Sequence, residues 1–238
     1  MFSNKFIQRF LKACQIVVLT GDTLCTESHD AFIQGNNNQL RELFTIDRLK
    51  RNDRKFWENV KRIRQEFNAL KPNLGHYALV DLENRFEDFT LITTSIDGLH
   101  RKAGNKKLIE LRGNIHRNVC PECHKQFYQF REQDPLVPTC PACGSKARPD
   151  VLLNDETIDE QILKKAQKAA AEAELFITVC LHHVHREHQA LPLIAKANGA
   201  YLVELNTEPT DLTNSMDEFV SENPAKLLTG LALLLEKI

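Results

Sequence analysis

Two C-x2-C knuckles constrain this chain more than any other feature: Cys120-Pro-Glu-Cys123 and Cys140-Pro-Ala-Cys143, separated by sixteen residues. At this spacing two thiolate pairs close a tetrahedron around one Zn2+, and Gly144 after the second knuckle permits the tight turn this requires. Four thiolates leave no position for water, so the expected ion is one structural Zn2+. It staples a segment too short to bury a core of its own. The chain has seven cysteines, and four in knuckles speak for metal in a reducing compartment rather than for disulfides. A cytoplasmic location is expected. The other three, Cys14, Cys25 and Cys180, read as small buried hydrophobes.

Around this module the pattern is that of an α/β protein. Gln15 to Thr20 (QIVVLT) is a β-branched run ending at Gly21, as buried parallel strands do. Further strands are expected at Phe89–Thr94, Leu108–Leu111, Glu174–Val179 and Ala200–Leu205. Helices are expected at His76–Leu82, Ile158–Ala173, Gln189–Asn198 and Pro224–Ile238. Strands alternating with helices, several of them continuous apolar runs, predict a parallel sheet covered on both faces. From Gly35 to Asn68 the chain is polar with apolar residues at helical intervals, a helical insertion ended by Lys71-Pro72-Asn73.

The segment before the first strand, MFSNKFIQRFLKAC, is basic and has no acidic residue, so a transit peptide has to be weighed. Phe2, Phe6 and Phe10 recur at helical spacing and IVVLTG follows directly, which reads as the first helix and strand of the fold. The 31 basic and 32 acidic residues give a net charge of -1, so no global field favours nucleic acid. No apolar run is long enough to span a bilayer, and no membrane association is expected.

Four motifs carry a resemblance to one family. TTSIDGLHRKAG (Thr93 to Gly104) resembles the sirtuin signature TQNIDGLHxxAG. IELRGNIHRNVCPEC (Ile109 to Cys123) is similar to IELHGSLxxxxCxxC. RPDVLLNDE (Arg148 to Glu156) resembles RPDVVxFGE, and Leu175 to Thr210 aligns without a gap on LFLVIGTSLxVxPAxxLPxxAxxxGAxLVxINxxPT. The resemblance covers nearly the whole chain. It implies a Rossmann-type large domain (1–34, 79–117 and 147–238) and a small domain. The latter would comprise the helical insertion (35–78) and the zinc module (118–146). It also implies NAD+ between the two, used in deacylating protein lysines. A histidine then serves as general base on a ribose hydroxyl, and an asparagine and an aspartate hold the cofactor. Acylated proteins are the implied partners.

The departures fall on the implied pocket. Arg112 stands where the family has its general-base histidine. A base needs an accepting lone pair and a pKa near working pH, and a guanidinium offers neither. Thr94 and Ser95 replace glutamine and asparagine, while Asp97 is kept. The cofactor loop GAGxSxxSGIPxFRG corresponds to GDTLCTESHDAFIQG, keeping Gly21, Ser28 and Gly35. Asp22 and Thr23 there replace an alanine and a glycine, and Ala31, Ile33 and Gln34 a proline, a phenylalanine and an arginine. The family's GTS has become Cys180, Leu181 and His182. Asn154 and Asp155 stand for phenylalanine and glycine next to the acyl-lysine channel. Asn206 matches the family's asparagine.

The positions left to contact NAD+ are therefore Gly21, Thr94, Ser95, Asp97 and Asn206. NAD+ binding is itself in doubt, and an inactive or nearly inactive protein is expected. The alternative is a deacylase or ADP-ribosyltransferase with residual or altered activity. His116 is a possible substitute base, though a packing histidine is the plainer reading. His182, His183, His185 and His188 form a run that could hold a second metal, or else a solvated loop. A buried Arg112 needs a carboxylate, Asp97 or Asp22. The basic cluster Arg48, Lys50, Arg51, Arg54 and Lys55, interleaved with acids, reads as a solvated helical face.

Overall fold

A computed structural model describes residues 2–21, 24, 44–51, 54–128, 134–181 and 186–235, the side chains of 186–188 excepted. Six strands form one parallel sheet: β1 (Gln15–Thr20), β2 (Asp88–Thr93), β3 (Leu108–Glu110), β7 (Leu175–Val179), β8 (Tyr201–Asn206) and β9 (Glu218–Ser221). Their order is β3-β2-β1-β7-β8-β9. The chain thus builds outward from β1 in one direction and from β7 in the other. A crevice opens at such a switch point, outside the carboxyl ends of the strands.

Residue alternation accounts for the two covered faces. Ile16 and Val18 of β1 pack with α1 (Asn4–Lys12), α4 (Leu74–Arg85) and α8 (Pro224–Leu235), whereas Val17 and Leu19 pack on the opposite side with α6 (Glu160–Glu172) and α7 (Arg186–Ala197). With both faces buried, every position wants an apolar side chain, so the strand reads as a continuous run. In α8, Leu227, Leu228 and Leu231 are buried, and Leu234 and Leu235 are half-buried against the same cluster. Gly75 lets α4 come close to α8: a Cβ there would lie 3.0 Å from the Ala225 Cα.

A second, antiparallel sheet, β5-β4-β6, is made of β4 (Gly113–Val119), β5 (Gln126–Phe127) and β6 (Arg148–Val151). A third apolar cluster joins it to the helical insertion. Phe56, Trp57, Val60, Ile63 and Phe67 of α3 (Arg54–Ala69) meet Ile115, Val151 and Leu153. Arg64 crosses the same interface, its Nε 2.6 Å from the Ile115 carbonyl and its Nη2 2.7 Å from Asn118 Oδ1. In α2 (Ile46–Lys50) and at the start of α3 the basic residues are solvated and paired locally, Arg51 with Asp47 and Arg54 with Glu58.

The expected elements occur with ends shifted by a few residues. Cys14 corrects an expectation: it is exposed, because it lies in the turn between α1 and β1, where its amide donates to Glu174. Cys25 lies outside the described residues. No helix among the described residues is long and apolar enough to cross a membrane.

Candidate functional site

The four knuckle cysteines converge. Cys120 and Cys143 Sγ are 3.5 Å apart, Cys123 and Cys140 3.6 Å, and all four sulfurs lie within 4.8 Å of one another. Zinc–sulfur bonds of about 2.3 Å set tetrahedral sulfurs ~3.8 Å apart, so the cluster fits that ion. Each knuckle closes through the same turn. Gly144 (φ 75°) donates its amide to the Cys140 carbonyl at 2.9 Å, and His124 (φ 56°) repeats this on Cys120 at 3.0 Å.

At the carboxyl ends of the parallel strands, Gly21 has a packing reason to be glycine. Its amide donates to Val179, and a Cβ there would lie 2.1 Å from the Cys180 carbonyl oxygen. Cys180 itself has φ 56°, a left-handed conformation that suits glycine, at the position of the family's GTS glycine. Asp22, Thr23, Ser28, Ala31, Ile33, Gln34, Gly35 and the histidines His182, His183 and His185 lie outside the described residues, as does the side chain of His188.

The signature turn is braced from within. Asp97 accepts the Leu99 amide on Oδ1 at 2.8 Å, and Ser95 Oγ accepts the Asp97 amide at 3.4 Å. The Thr94 amide donates to the Thr20 carbonyl at 3.0 Å, tying the turn to β1. His116 Nε2 lies 3.1 Å from the Asp97 carbonyl, which can only accept, so this nitrogen carries the proton. That assigns His116 to holding the turn, with Gly98 (φ 74°) packed against its ring.

Arg112 stands in the turn that follows β3, half-buried, with its Nε buried. Its main chain is pinned on both sides: the Leu111 amide donates to Thr93 at 3.0 Å, and the Leu152 amide donates to the Arg112 carbonyl at 2.9 Å. Gly113 (φ 78°) must be glycine, because a Cβ would lie 2.1 Å from the Asp150 oxygen. The backbone thus presents residue 112 at the same edge as Ser95 and Asp97. Beside it, Asn154 donates its amide to Phe44, and Asp155 accepts the Ile46 amide at 2.9 Å, fastening this loop to the helical insertion.

Asn206 ends β8 and is 1% exposed. Its Oδ1 accepts the Thr207 amide at 2.9 Å, while its buried Nδ2 has no hydrogen-bond partner among the described residues. A buried amide left unsatisfied costs about 1–3 kcal/mol, so this donor calls for a ligand or water acceptor. A hydroxyl or phosphate oxygen is an acceptor of the kind this donor lacks among the described residues.

A buried histidine pair is the feature the motifs do not announce. The His76 and His100 rings lie 4.8 Å apart, and His100 Nε2 is 2.9 Å from Thr20 Oγ1. His76 forms a capping box with Asn73, whose Nδ2 reaches the Leu24 carbonyl at 2.7 Å. The Asn73-x-x-His76 spacing at a helix start is the one signal that could have disclosed it.

Burial, and the neighbouring His76, push the His100 ring down to about 3, and burial also lowers His76. Both rings are neutral in the folded chain, so stability is full above the unfolded value near 6.5 and is lost as pH falls below it. Each histidine contributes a slope of up to ~1.4 kcal/mol per pH unit in that window. Denaturant unfolding from pH 6.5 to 5 should therefore show a shallower pH dependence for His100→Asn than for the wild type. Equal slopes would remove the pair from this account.

A model of the Sir2 family matches residues 27–182. An NAD-dependent protein deacylase of Aquifex aeolicus is 37% identical over 222 residues, covering 91% of this chain and 92% of its own. The chain belongs to the Sir2, or sirtuin, family. A Sir2 homologue solved as an NAD complex superposes with a TM-score of 0.88 at 25% identity, covering 100% of this chain and 95% of that one. A Sir2 bound to an acetylated peptide gives 0.81 at 26% identity, with 99% of each chain covered. Sirtuin membership and the four-sulfur cluster agree with the expectations drawn from the motifs.

Proposed function

We propose that this sirtuin-fold protein, stapled by one structural Zn2+, has lost NAD-dependent lysine deacylation by the general-base route. The observation that carries this reading is Arg112, on a backbone pinned at the edge where the family's base belongs. NAD+, where it binds, supplies an electrophilic ribose carbon and a nicotinamide leaving group. Completing the deacylation once nicotinamide has left asks the protein to take a proton from a ribose hydroxyl. Arg112 cannot take it. His116 donates its Nε2–H to the Asp97 carbonyl and holds the turn, which leaves Nδ1 as its accepting nitrogen. Asn154 and Asp155 add that the loop beside the acyl channel is engaged with the helical insertion.

Of the implied cofactor contacts, Asn206 keeps a buried donor with no hydrogen-bond partner among the described residues, which suits a nucleotide oxygen. Asp97 and Ser95 serve their own turn, and Gly21 serves strand packing. The small domain is taken as 35–78 with 118–146, and a protein partner or acylated protein segment as its counterpart, in the cytoplasm.

The relatives named as deacylases support a second reading, residual or altered activity. Loss of a positioned general base slows a reaction by about 10^2- to 10^4-fold. Deacylation of acetyl-lysine peptides, followed by mass spectrometry, should be undetectable for the wild type at enzyme levels where an active sirtuin finishes. Arg112→His should raise it measurably if the remaining pocket still binds NAD+. A wild-type rate within tenfold of the active sirtuin would overturn the proposal.

A further inference from the structure

We infer that His76 and His100 form an acid-released latch that, with Asn73, holds the chain beyond β1 at Leu24, and that this latch opens while the parallel sheet stays folded. The inference concerns conformation rather than turnover, so it does not depend on whether deacylation is lost.

Contacts from two helices converge on the end of β1. From the short helix that opens at Leu99, His100 Nε2 lies 2.9 Å from Thr20 Oγ1. From the N-cap of α4, Asn73 Nδ2 donates to the Leu24 carbonyl at 2.7 Å. Leu24 is 5% exposed, in the apolar cluster that also holds Leu79 and Leu228. The two rings, 4.8 Å apart, join these contacts, because His76 is bound to Asn73 through the capping box. Displacing the ring pair therefore disturbs both Thr20 and Leu24.

The surroundings of the pair decide what acid does to it. His100 is 3% exposed, and its Nδ1 is buried with no hydrogen-bond partner among the described residues. A charged imidazole carries a proton on both nitrogens, so a charged His100 would hold an N–H without an acceptor inside the fold. Burial keeps both rings neutral in place, and charge on His76 opposes charge on His100. Asp97 acts against release, since its carboxylate favours charge on both rings. Of the other charged neighbours, Arg101 pairs with Glu110, and Lys102 donates to the Asn68 and Leu70 carbonyls. Glu83 of α4 accepts the Lys106 and Lys107 amides, and Lys226 of α8 pairs with Glu222.

Once released, the rings are solvated and charge near 6.5, so each takes up one proton as the latch opens. Below that value the opening constant rises by up to about tenfold per pH unit for each ring. β1 itself is held by its ladders to β2 and β7, which contain no titrating group.

The test is an NMR titration of the zinc-loaded full chain between about pH 7.5 and 5, following the His76 and His100 ring carbons and the leucine methyls. Leu24→Ile and His100→Gln supply the assignments. Both rings and the Leu24 methyls should shift in one step that takes up about two protons, while Leu19 of β1 and Leu205 of β8 keep their shifts. His100→Gln leaves one titrating ring and should broaden the step to about one proton. Asn73→Ser still caps α4 but has no amide to give Leu24, so it should move the step up by about half a pH unit.

Leu24 methyls that stay in place throughout, or that move only together with Leu19 and Leu205, would overturn the inference. So would rings that titrate while Leu24 is unmoved, or a Leu24 step unchanged in both variants. Cooperative melting of each variant at neutral pH shows that a shifted step is not a failure to fold.

Discussion

Removing zinc with a chelator should unfold the β5-β4-β6 sheet and lower the melting temperature of the whole chain by more than about 10 °C. The segment between the knuckles contributes few apolar groups: Leu136 and Val137 pack only at the edge of the third cluster. A module of that size has too little core to offset its chain entropy, and the metal supplies the difference. Structural zinc in small modules is worth on the order of 10 kcal/mol. The loss should spread, because β4 and β6 of this sheet hold Ile115 and Val151, which α3 needs to cover its apolar face. Hydrogen exchange should show protection lost first in 113–151 and α3, with β1 and β7 protected longest. Cys143→Ala should reproduce the effect. Identical melting with and without chelator would show that the cysteines close no zinc site.

The second large effect is expected at Glu110, the last residue of β3. Its side chain is 4% exposed, and Oε2 lies 3.0 Å from both Arg101 and Arg117. Oε1 accepts from Asn114 Nδ2 at 2.8 Å. Arg117 also pairs with Asp150 of β6. This carboxylate therefore ties the parallel sheet to the antiparallel one, on either side of Arg112. Glu110→Ala leaves Arg117, 12% exposed, with half its neutralising charge and Asn114 with an orphaned amide. Breaking a buried pair from one side costs ~3–5 kcal/mol, and urea unfolding should show a loss of that order. Glu110→Gln, which keeps the acceptor for Asn114, should lose less. A change under 1 kcal/mol for Glu110→Ala would mean that the two sheets are joined by other contacts.

What the sequence disclosed follows from which interactions are local. The central strands were legible because both faces are buried, which turns QIVVLT and LFITV into continuous apolar runs. The zinc cluster was legible because its geometry is set by the spacing inside each knuckle. β4, β6 and β9 were not. GNIHRNV mixes Ile115 and Val119 with asparagines that serve hydrogen bonds, RPDV contains Pro149, and EFVS is a short edge strand. Their pairing comes from partners distant in sequence.

The pocket shows the same division. Periodicity makes nothing of Arg112, and only the match to IELHG gave its position meaning. The pinned backbone and the Gly113 contact with Asp150 then explain why that position is held at the crevice. The His76–His100 pair was hidden because its rings meet only when α4 and α5 (Leu99–Ala103) pack, and the Asn73-x-x-His76 spacing marks a helix start without saying which ring His76 meets.

The chain thus keeps the sirtuin fold without its proton acceptor. Deacetylated peptide should therefore be followed in a single turnover, with zinc-loaded protein in excess over NAD+ and acetyl-lysine peptide present, since proton removal from the ribose hydroxyl is needed to finish the deacylation and not to expel nicotinamide. No deacetylated peptide above the NAD+-free background is expected over hours, in a protein that melts cooperatively. One deacetylated peptide per NAD+ within minutes would contradict this and identify a proton acceptor other than residue 112.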